Sequence, residues 1–583
     1  MYRDHTCGEL RRQHVGKDVK LAGWVHSSRD HGGVIFIDLR DRYGLTQIVF
    51  DPELNKETHA EAARLRREDV IAVSGRVRER KPGMENPKLS TGEIEVIVSK
   101  LEVLNKAETP PLEVDDRIEG NEEIRLKYRY IDLRRPIMQH RLGFRHSLIT
   151  AAREYMNSHD FIEIETPLLV RATPEGARDY VVPSRTNPGK FFALPQSPQL
   201  YKQILMVSGC DRYYQIARCL RDEDLRADRQ PEHTQIDLEM SFVHQEDVIQ
   251  LVEGLYKHIV KRTLEIEIKD KFPRMTYSEA MQRFGSDKPD LRFGLELIDV
   301  TKTAKKSDFE VFRKAEFIKC LNPDKDFSRK EIDELTQFVA DCGAKGLAWL
   351  KVTDKGLEGS LAKFFNAALQ KELLDTARPK KGSTLFFIAG NFKIAHIVLG
   401  NLRNELAKRM GLIKPGEMKF LWVFDFPLFE WSEEGNAWQP CHHIFSSPRE
   451  ECLQYLEKDP SKVVGLLHDL VLNGLELGSG SIRINRKDVQ ERVMKVIGLS
   501  HEEANKRFGF LLEAFKYGAP PHGGMGLGVD RITALLCGFN DIREVMAFPK
   551  NKNAECPMDG CPSEISKEQL KELHLKVDVV KKS

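Results

Sequence analysis

Four glycines lie close together near the C-terminal end of the chain, at positions 523, 524, 526 and 528. Glycine has no side chain, so such a segment can present bare backbone to a flat ligand. Arg531 follows, and its planar, permanently charged guanidinium suits phosphate oxygens. The spacing differs from the G-x-G-x-x-G turn of Rossmann folds. The segment predicts a nucleotide triphosphate site, and tight backbone packing is the alternative interpretation.

The length of 583 residues predicts about three to four domains, because one hydrophobic core rarely grows that large. A formal net charge of +1 argues against a disordered chain and against a broad DNA-coating surface. The ten cysteines are scattered, and Cys556 and Cys561 have no second pair, so reduced thiols are favoured over zinc. Without an apolar run of spanning length or a signal peptide, we expect a cytoplasmic protein with no membrane partner.

The first hundred residues predict a small β-barrel. β-branched runs bounded by glycine or charged turns predict five strands, at Val19–Val25, Val34–Asp38, Thr46–Phe50, Val70–Val77 and Gly92–Val98. A helix fits between the third and fourth strands, at Lys56–Arg67. This order is typical of the OB fold, a common binder of single-stranded nucleic acid, and an unrelated small β domain is the alternative.

Changes of pattern divide the rest of the chain. A polar linker at 108–125 follows an N-terminal domain at 1–107, and a domain of helices and long antiparallel strands begins at 126. That pattern stops near residue 285 and resumes at 419, which predicts an inserted α/β domain at 286–418. The second half of the interrupted domain then covers 419–550, and a charged C-terminal extension covers 551–583. The expected fold class is therefore a multidomain α+β protein.

A second informative segment runs from Arg218 to Glu239. A strand ends near Arg221, a charged loop follows, and the next strand carries Gln235, Asp237 and Glu239 at alternate positions. Alternate residues of a strand share one face, so three polar side chains point the same way. Buried polar groups need partners, which favours a ligand, although a surface hairpin with solvated charges gives the same pattern.

Together these segments resemble the class II aminoacyl-tRNA synthetases. Phe161–Pro167, Arg221–Glu223 with Phe242, and Gly526–Arg531 resemble the three motifs of that family, in the family's order. Four further segments are similar to the bacterial-type aspartate enzymes, namely Thr173–Tyr180, Leu194–Lys202, His442–Phe445 and Gly480–Ile484. The resemblance covers nearly the whole chain and implies an antiparallel catalytic sheet, while the class I signatures are absent.

The resemblance implies a site for ATP. Arg221 would grip the α-phosphate and the amino acid carboxylate, Glu223 would accept from the adenine amino group, and Arg531 would bind the γ-phosphate. The other implied ATP contacts are Asp222, Gln230, Glu476, Gly528, Val529 and Asp530. Asp469 and Glu476 resemble the acids that hold Mg²⁺, which prefers carboxylate oxygen. Their spacing of seven fits two helical turns or one side of a loop, and a solvated acidic pair is the alternative.

The resemblance also implies a pocket for L-aspartate. Arg483 and Lys202 would surround the side-chain carboxylate, and Asp237 would balance these cations. The rest of the implied pocket is Arg221, Glu175, Ser197, Gln199 and His442, with Glu175 in a closing loop. A metal site at His442 and His443 is not favoured, because neighbouring residues of a strand face opposite ways.

The anticodon is single-stranded, so stacking and base-edge hydrogen bonds should read it. Phe36 and Gln47 occupy the positions at which the family's barrel stacks and reads bases, although Phe36 alone fits a core position equally well. Neighbouring contacts are implied for Arg29, Arg78 and Glu95.

Two residues bear on the choice of tRNA. His31 and Gly83 resemble the residues of enzymes that charge both tRNA(Asp) and tRNA(Asn), and a strictly tRNA(Asp)-specific enzyme is the alternative. The implied partners are these tRNAs, a second copy of the chain in a homodimer, and a downstream amidotransferase. An asparagine or lysine enzyme of the same subgroup would lack the Thr173–Tyr180 segment and the insertion. A non-catalytic relative would have lost some of the catalytic charges that persist here.

Overall fold

The computed structural model describes residues 1–117, 120–173, 177–354 and 356–579. The predicted pocket residue Glu175 lies outside these described residues. The chain divides into two compact units. The first unit consists of 1–146, 224–231 and 539–570, and the second of 147–223, 232–538 and 571 onward. The six predicted domain ranges stay predictions, since a division into two units does not test them.

The N-terminal strands form a closed barrel, in the order β1-β2-β3-β5-β4. Its elements are β1 (Asp18–His31), β2 (Val34–Asp41), β3 (Gly44–Phe50), α1 (Lys56–Ala62), β4 (Val70–Glu79) and β5 (Ile94–Asn105). Alternate residues such as Ile35, Ile37 and Leu39 fill the interior, which confirms the predicted OB barrel. The helix between β3 and β4 is shorter than predicted, since it ends at Ala62 and not at Arg67.

Strands β1 and β2 extend beyond the predicted lengths and form a long hairpin. Gly32 and Gly33 connect them with φ values of +62° and +80°. Two successive positive φ angles match the two-residue turn that suits the twist of a hairpin, and glycine adopts them without steric cost. The hairpin therefore carries Arg29, His31 and Phe36 toward its tip.

Three helices follow the barrel, namely α2 (Glu122–Lys127), α3 (Arg129–Asp132) and α4 (Pro136–Asn157). A buried ionic network ties the first two to the segment after residue 539, which belongs to the same compact unit. Arg129 donates to the carbonyl oxygens of Met546 and Ala547 at 2.8 Å each and to Asp132 at 2.6 Å. Because breaking a buried ion pair costs about 3–5 kcal/mol, this network fixes the segment in place.

The second unit carries most of the remaining elements. The part before residue 285 contains β6 (Ile162–Glu163), β7 (Val181–Pro183), β8 (Phe191–Ala193), α5 (Gln199–Val207), β9 (Arg212–Leu220), β10 (Glu232–Ser241), α6 (Gln245–Leu264), β11 (Arg274–Thr276) and α7 (Tyr277–Phe284). The middle part contains β12 (Ile298–Asp299), α8 (Thr301–Ala304), α9 (Glu310–Lys314), β13 (Phe317–Leu321), α10 (Arg329–Asp341), β14 (Ala348–Thr353), β15 (Gly356–Glu358), α11 (Ala367–Ala377), β16 (Thr384–Gly390) and α12 (Leu399–Arg409). The last part contains β17 (Phe420–Phe424), β18 (Phe429–Ser432), β19 (Ala437–Pro440), β20 (Leu467–Leu472), β21 (Leu475–Ile482), α13 (Lys487–Val496), α14 (His501–Ala514), β22 (His522–Gly528) and α15 (Val529–Leu536), and α16 (Lys567–Glu572) lies near the C-terminus.

Within the described residues, the main sheet has the strand order β11-β17-β20-β21-β22-β10-β9-β6. Its inner strands pair antiparallel, and only the edge strands β11 and β6 pair parallel to their neighbours. The insertion builds a separate sheet, β12-β13-β16-β14-β15, whose strands all pair antiparallel. Two apolar clusters involving alternate residues of β13 and β16 form its core, so the insertion has its own hydrophobic interior.

Among the described residues, no helix combines the length and the apolar character needed to cross a membrane.

Candidate active site

The glycine-rich segment forms β22, in the middle of the main sheet. Its register with β10 sets Gly528 opposite Gln235, Gly526 opposite Asp237 and Gly524 opposite Glu239. Residues that face each other across antiparallel strands share one side of the sheet. The three glycines therefore lie beside the row of polar side chains that the alternation in β10 predicts.

Two of the glycines are required by packing. A Cβ atom at Gly524 would lie 2.0 Å from the carbonyl oxygen of Leu238, and one at Gly523 would lie 2.5 Å from Cδ1 of Ile482. Both distances are far below a van der Waals contact, and at Gly524 the obstacle is backbone that cannot move aside. The packing interpretation therefore holds firmly at Gly524, whereas at Gly523 the flexible end of Ile482 would have to move.

The other two glycines are enclosed less tightly. A Cβ at Gly526 would first meet Oε1 of Gln235 at 3.0 Å, which is the flexible end of a side chain, and one at Gly528 would lie 3.5 Å from the nearest backbone oxygen. Since neighbouring atoms do not exclude a side chain here, a ligand that lies on the backbone is the better explanation for these glycines.

This difference predicts opposite outcomes for two alanine substitutions. Gly526→Ala should fold normally but raise the KM for ATP by about tenfold, because the methyl group occupies the floor of the site. Gly524→Ala should lower the free energy of unfolding by about 1–3 kcal/mol or more, because the methyl group overlaps backbone. Thermal unfolding and ATP saturation curves of the two variants would check this, and equal destabilisation by both would contradict the assignment.

Arg221 and Arg531 both lie close enough to His233 to act on its charge, although they are distant in sequence. Both act on the same imidazole: burial, followed by the positive charges of Arg221 and Arg531, lowers the pKa of His233 to about 3. His233 continues the polar row of β10 and lies 3.4 Å from the side chain of Gln235. A neutral imidazole flanked by guanidinium groups marks a place built for an anion.

The residues around Arg531 are fixed by the start of α15. Val529 is fully buried, and the carboxylate of Asp530 accepts the backbone N–H of Thr234 at 2.7 Å, which joins α15 to β10. The guanidinium of Arg531 donates to the backbone oxygen of Glu476. These contacts indicate that Asp530 positions the helix that carries Arg531.

The loop after β9 holds other predicted ATP contacts. Arg221 donates through Nε to the carbonyl oxygen of Gln196 at 3.4 Å, and Asp222 lies 3.6 Å from Arg178. Glu223 is half-buried and forms interactions within the protein. Gln230 belongs to the other compact unit, where its side chain exchanges two hydrogen bonds with the backbone of Lys550.

A buried ionic cluster lies further along the same face. Nζ of Lys202 is 2.7 Å from Asp237 and 3.4 Å from Glu239, and Arg483 contacts Glu239 through two hydrogen bonds of 2.9 and 3.1 Å. Each of these side chains is at most 3% exposed. The structure thus brings the predicted pocket residues Lys202, Asp237 and Arg483 together and adds Glu239.

Arg483 uses every N–H of its guanidinium within the described protein. Besides Glu239, it donates to Nε2 of His443 and Oγ of Ser481 at 2.7 Å each, and to the carbonyl oxygen of Gly524 at 3.0 Å. Burial and the charge of Arg483 hold the pKa of His443 well below its ordinary value, so the imidazole is neutral and accepts. A substrate carboxylate therefore has to replace one of these neutral acceptors.

The two acids of the cluster differ in their electrostatics. Burial opposes ionisation of Glu239, yet Arg483 and Lys202 together hold its pKa below the ordinary value. Burial raises the pKa of Asp237 despite Lys202. Oδ2 of Asp237 has no hydrogen-bond partner among the described residues. An orphaned buried carboxylate oxygen is costly, which indicates that a donor from a ligand completes it.

The predicted pocket residues Ser197 and Gln199 lie at the start of α5. The backbone N–H of Gln199 donates to Oγ of Ser197 at 3.4 Å, and Gln199 is buried. Its Nε2 atom has no hydrogen-bond partner in the described chain. This amide is therefore available to a ligand acceptor.

The acidic pair lies on a β-hairpin, so the helical interpretation of its spacing is wrong. Asp469 is in β20 and Glu476 in β21, and a bulge shifts the register so that Asp469 faces Ser479 while Val471 faces Glu476. In an unbroken ladder Glu476 would point to the opposite side of the sheet from Asp469. The bulge places both carboxylates on one face.

The surroundings of this pair suit a cation. Burial and the negative charge of Asp469 raise the pKa of Glu476, and Oδ1 of Asp469 has no hydrogen-bond partner among described residues. Nε2 of His442 lies 3.3 Å from Oδ2 of Asp469, and despite burial this acid raises the pKa of His442. His442 thus lies against the acidic pair, whereas its neighbour His443 contacts Arg483.

The predicted anticodon residues form one connected group on the barrel strands, all within the first unit, and two of them, Gln47 and Glu95, are buried. Gln47 donates to Glu95 at 2.7 Å, and Arg78 contacts the same carboxylate at 2.8 Å. Asp38 pairs with Gln47 across β2 and β3 and contacts Arg29 at 3.0 Å. The patch therefore runs without a break from the hairpin to β4 and β5.

Phe36 is half-buried and directly opposite Arg29, while its neighbours Ile35 and Ile37 fill the core. The core interpretation of Phe36 is therefore not supported, and its ring is available for stacking. His31 is exposed beside the two-glycine turn. Gly83 is exposed in a turn with a φ of +84°, which L side chains rarely adopt.

Four functional candidates escaped the sequence reasoning, namely His233, Glu239 as a pocket residue, His443 and Arg80. Arg80 is 8% exposed, and its Nη2 atom has no hydrogen-bond partner in the described chain. The carboxylates of Glu95 and Asp38 lie near enough to interact electrostatically with its guanidinium. The alternation in β10 could have identified His233. No sequence signal distinguishes His443 from His442.

Comparisons with known proteins agree with this geometry. Residues 121–552 match the family model "tRNA synthetases class II (D, K and N)", and residues 19–104 match "OB-fold nucleic acid binding domain". The chain is 51% identical to the "Aspartate--tRNA(Asp/Asn) ligase" of Caldanaerobacter subterraneus, over 99% of this chain and 98% of that protein. It is 53% identical to the protein of the same name from Rubrobacter xylanophilus, over 98% and 97% of the two chains.

A solved structure shares the fold. The asparaginyl-tRNA synthetase of Pyrococcus horikoshii, solved with asparaginyl-adenylate, aligns with a TM-score of 0.60 at 21% identity and covers 94% of this chain and 98% of its own. The barrel, the antiparallel sheet and the extended match to the family model agree with one another. The chain therefore belongs to the class II aminoacyl-tRNA synthetases of the aspartate, lysine and asparagine group, among the aspartate–tRNA ligases.

Proposed function

We propose that this chain attaches L-aspartate to tRNA in two steps through aspartyl-adenylate. The observation that carries the proposal is one continuous face of the main sheet. On that face, the paired arginines Arg221 and Arg531 border a glycine floor, and the buried cations Lys202 and Arg483 lie further along. The first region suits a triphosphate and the second suits a small dicarboxylic amino acid.

In the first step the α-carboxylate of aspartate attacks the α-phosphorus of ATP and pyrophosphate leaves. Arg221 holds the α-phosphate and the attacking carboxylate, and Arg531 holds the γ-phosphate of the leaving group. Glu223 accepts from the adenine amino group, while Gly526 and Gly528 leave room for the nucleotide. Catalysis then consists of positioning and charge stabilisation, without a covalent enzyme intermediate.

Asp469 and Glu476 are proposed to hold Mg²⁺. The orphaned Oδ1 of Asp469 and the raised pKa of Glu476 fit a hard cation with oxygen ligands. When bound, Mg²⁺ neutralises phosphate charge. His442 keeps Asp469 oriented from the other side, since its Nε2 atom lies 3.3 Å from Oδ2.

Selection of aspartate follows from the buried cluster. Lys202 and Arg483 are balanced by Asp237 and Glu239, so the ammonium that a substrate brings to this cluster must be balanced by a carboxylate on its side chain. The ammonium of aspartate would donate to the orphaned Oδ2 of Asp237, and its side-chain carboxylate would take the place of His443 or Ser481 on Nη1 of Arg483. Asparagine would offer a neutral amide to two buried cations. Discrimination of 10⁴-fold needs about 5.5 kcal/mol, which unpaired buried charges can supply.

In the second step the terminal 3′-hydroxyl of tRNA attacks the aspartyl-adenylate. The barrel patch is proposed to read the anticodon: Phe36 stacks on a base, and Gln47, Arg78 and Glu95 contact base edges. His31 and Gly83, on exposed turns, are proposed to accept either pyrimidine or purine at the third anticodon base. The enzyme would then charge tRNA(Asn) as well as tRNA(Asp), as the names of its relatives state for those proteins.

The test is charging with labelled aspartate on purified tRNA(Asp) and tRNA(Asn), side by side. We expect comparable kcat/KM values for the two tRNAs. His31→Leu should lower kcat/KM for tRNA(Asn) by about tenfold with a smaller effect on tRNA(Asp), because single base contacts contribute about 1–3 kcal/mol. His146, exposed elsewhere on the same unit, provides the matched control His146→Leu. Charging of tRNA(Asp) alone by the unaltered chain would establish the strict enzyme.

A homodimer is also proposed. Apolar side chains are exposed around the segment that resembles the family's interface motif, at Ile162, Leu168, Leu169, Val181, Phe191 and Phe192. Exposed apolar residues concentrated in one region favour a protein interface. Charging of tRNA(Asn) would further imply a downstream amidotransferase as partner, and we propose a cytoplasmic location.

A further inference from the structure

Two cysteines and an aspartate meet near the C-terminal end of the first unit. Cys556, Asp559 and Cys561 offer one sulfur or oxygen ligand atom each, and these atoms all lie within 4.8 Å of one another. In the described part of the chain, no other three His, Cys, Asp or Glu side chains bring their ligand atoms this close together. The sequence interpretation of isolated thiols overlooked Asp559, which supplies the third donor.

The backbone already holds the three donors in a chelating turn. The N–H of Cys556 donates to the carbonyl oxygen of Cys561 at 2.8 Å, and the N–H of Gly560 donates back to the carbonyl oxygen of Cys556 at 2.8 Å. The N–H of Cys561 donates to Oδ1 of Asp559 at 3.0 Å. Gly560 has a φ of +74°, which permits the tight return. Binding of an ion would therefore require little reorganisation.

The three donor atoms are close to one another. Both sulfurs lie within 4.8 Å of a carboxylate oxygen of Asp559. Zinc bonds of about 2.3 Å to sulfur and about 2.0–2.2 Å to oxygen need only a small contraction of this arrangement.

We propose that Cys556, Asp559 and Cys561 bind a thiophilic divalent cation, with Zn²⁺ as the expected ion. As the ion enters, the two thiols lose their protons to solvent and become thiolates, so the ligand set carries three negative charges for two on the ion. The positive charge of Lys550 acts on Cys561 and offsets part of this excess. Cys556 and Cys561 also line an open cavity of about 660 Å³, from which water can supply a fourth ligand.

This site is distinct from the acidic pair of the proposed active site. Asp469 and Glu476 offer oxygen, which suits Mg²⁺, whereas two sulfurs select softer metals. The bound ion would close the turn at 556–561 and stabilise the C-terminal segment, which has no role in the proposed chemistry. The two proposals can therefore fail independently.

The test is titration of the full chain, reduced and stripped of metal, with Co²⁺. We expect sulfur-to-cobalt charge-transfer absorption that saturates at equimolar Co²⁺ and disappears when Zn²⁺ is added. Cys556→Ser and Cys561→Ser should abolish the absorption, and Asp559→Asn should weaken Co²⁺ binding by at least about tenfold. Cobalt at Asp469 and Glu476 would not produce this band, because no sulfur lies in that ligand set.

The double variant Cys441→Ser/Cys537→Ser is the matched control, since both cysteines are half-buried at other places. It should keep the charge-transfer band unchanged. Absence of the band in the unaltered chain, or its persistence in Cys561→Ser, would overturn the proposal. Oxidation of Cys556 and Cys561 to a disulfide, without metal binding by the reduced chain, would also overturn it.

Discussion

Replacing Arg531 with alanine should lower kcat of aspartate-dependent ATP–pyrophosphate exchange by about 10³-fold, because a fixed positive charge on the leaving pyrophosphate is lost. The same change should raise the pKa of His233 from its value of about 3, since Arg531 contributes to lowering it. Exchange kinetics measure the first effect, and NMR titration of the imidazole measures the second. A purely structural role for Arg531 would not produce both.

Arg262→Ala is the matched control for this substitution. Arg262 belongs to the same unit but forms an exposed ion pair with Glu154, at 3.1 Å. Exposed pairs contribute little to stability, so this variant should keep the exchange rate of the unaltered chain. A loss of less than tenfold in Arg531→Ala would contradict the assigned role.

Replacing Arg483 with methionine should lower kcat/KM for aspartate by about 10³-fold while leaving the KM for ATP nearly unchanged, because only the amino acid pocket loses a cation. The variant should also lose about 3–5 kcal/mol of stability, since Glu239 is left buried with Lys202 as its remaining cationic partner. Steady-state exchange kinetics and denaturant unfolding measure the two effects.

The double variant Arg483→Met/Glu239→Gln separates recognition from folding. Glutamine removes the unpaired negative charge, so most of the lost stability should return. The loss of kcat/KM for aspartate should persist, because the cation that pairs with the substrate carboxylate is still absent. If the double variant activated aspartate within tenfold of the unaltered chain, Arg483 would be a structural residue and not a specificity residue.

Local patterns predicted much of the fold. The five strands of the barrel were predicted, and alternation in β10 identified the polar face that borders the glycine strand. The helix predicted to reach Arg67 stops at Ala62, and a tertiary contact fixes the backbone further along. Glu68 adopts a positive φ, and its carboxylate pairs with the buried Arg40 at 2.7 Å. Contacts of that kind are invisible in a local window.

The sequence predicted which residues belong to the candidate site, but not how they are arranged in space. The register shift that brings Glu476 to the side of Asp469 depends on one bulge, whereas the spacing alone suggested two helical turns or one side of a loop. The guanidinium of Arg483 donates hydrogen bonds to His443, Ser481 and Gly524, which come from separate segments. Residues so far apart in sequence meet only when the sheet has formed.

Amino-acid-dependent ATP–pyrophosphate exchange without tRNA tests the central claim most directly. Purified chain would be assayed in parallel with aspartate, asparagine and lysine, at equal ATP and Mg²⁺. The buried pair of Lys202 and Arg483 predicts exchange with aspartate and kcat/KM values about 10⁴-fold lower with asparagine. Exchange driven by asparagine or lysine, or no exchange with any of the three, would contradict the account.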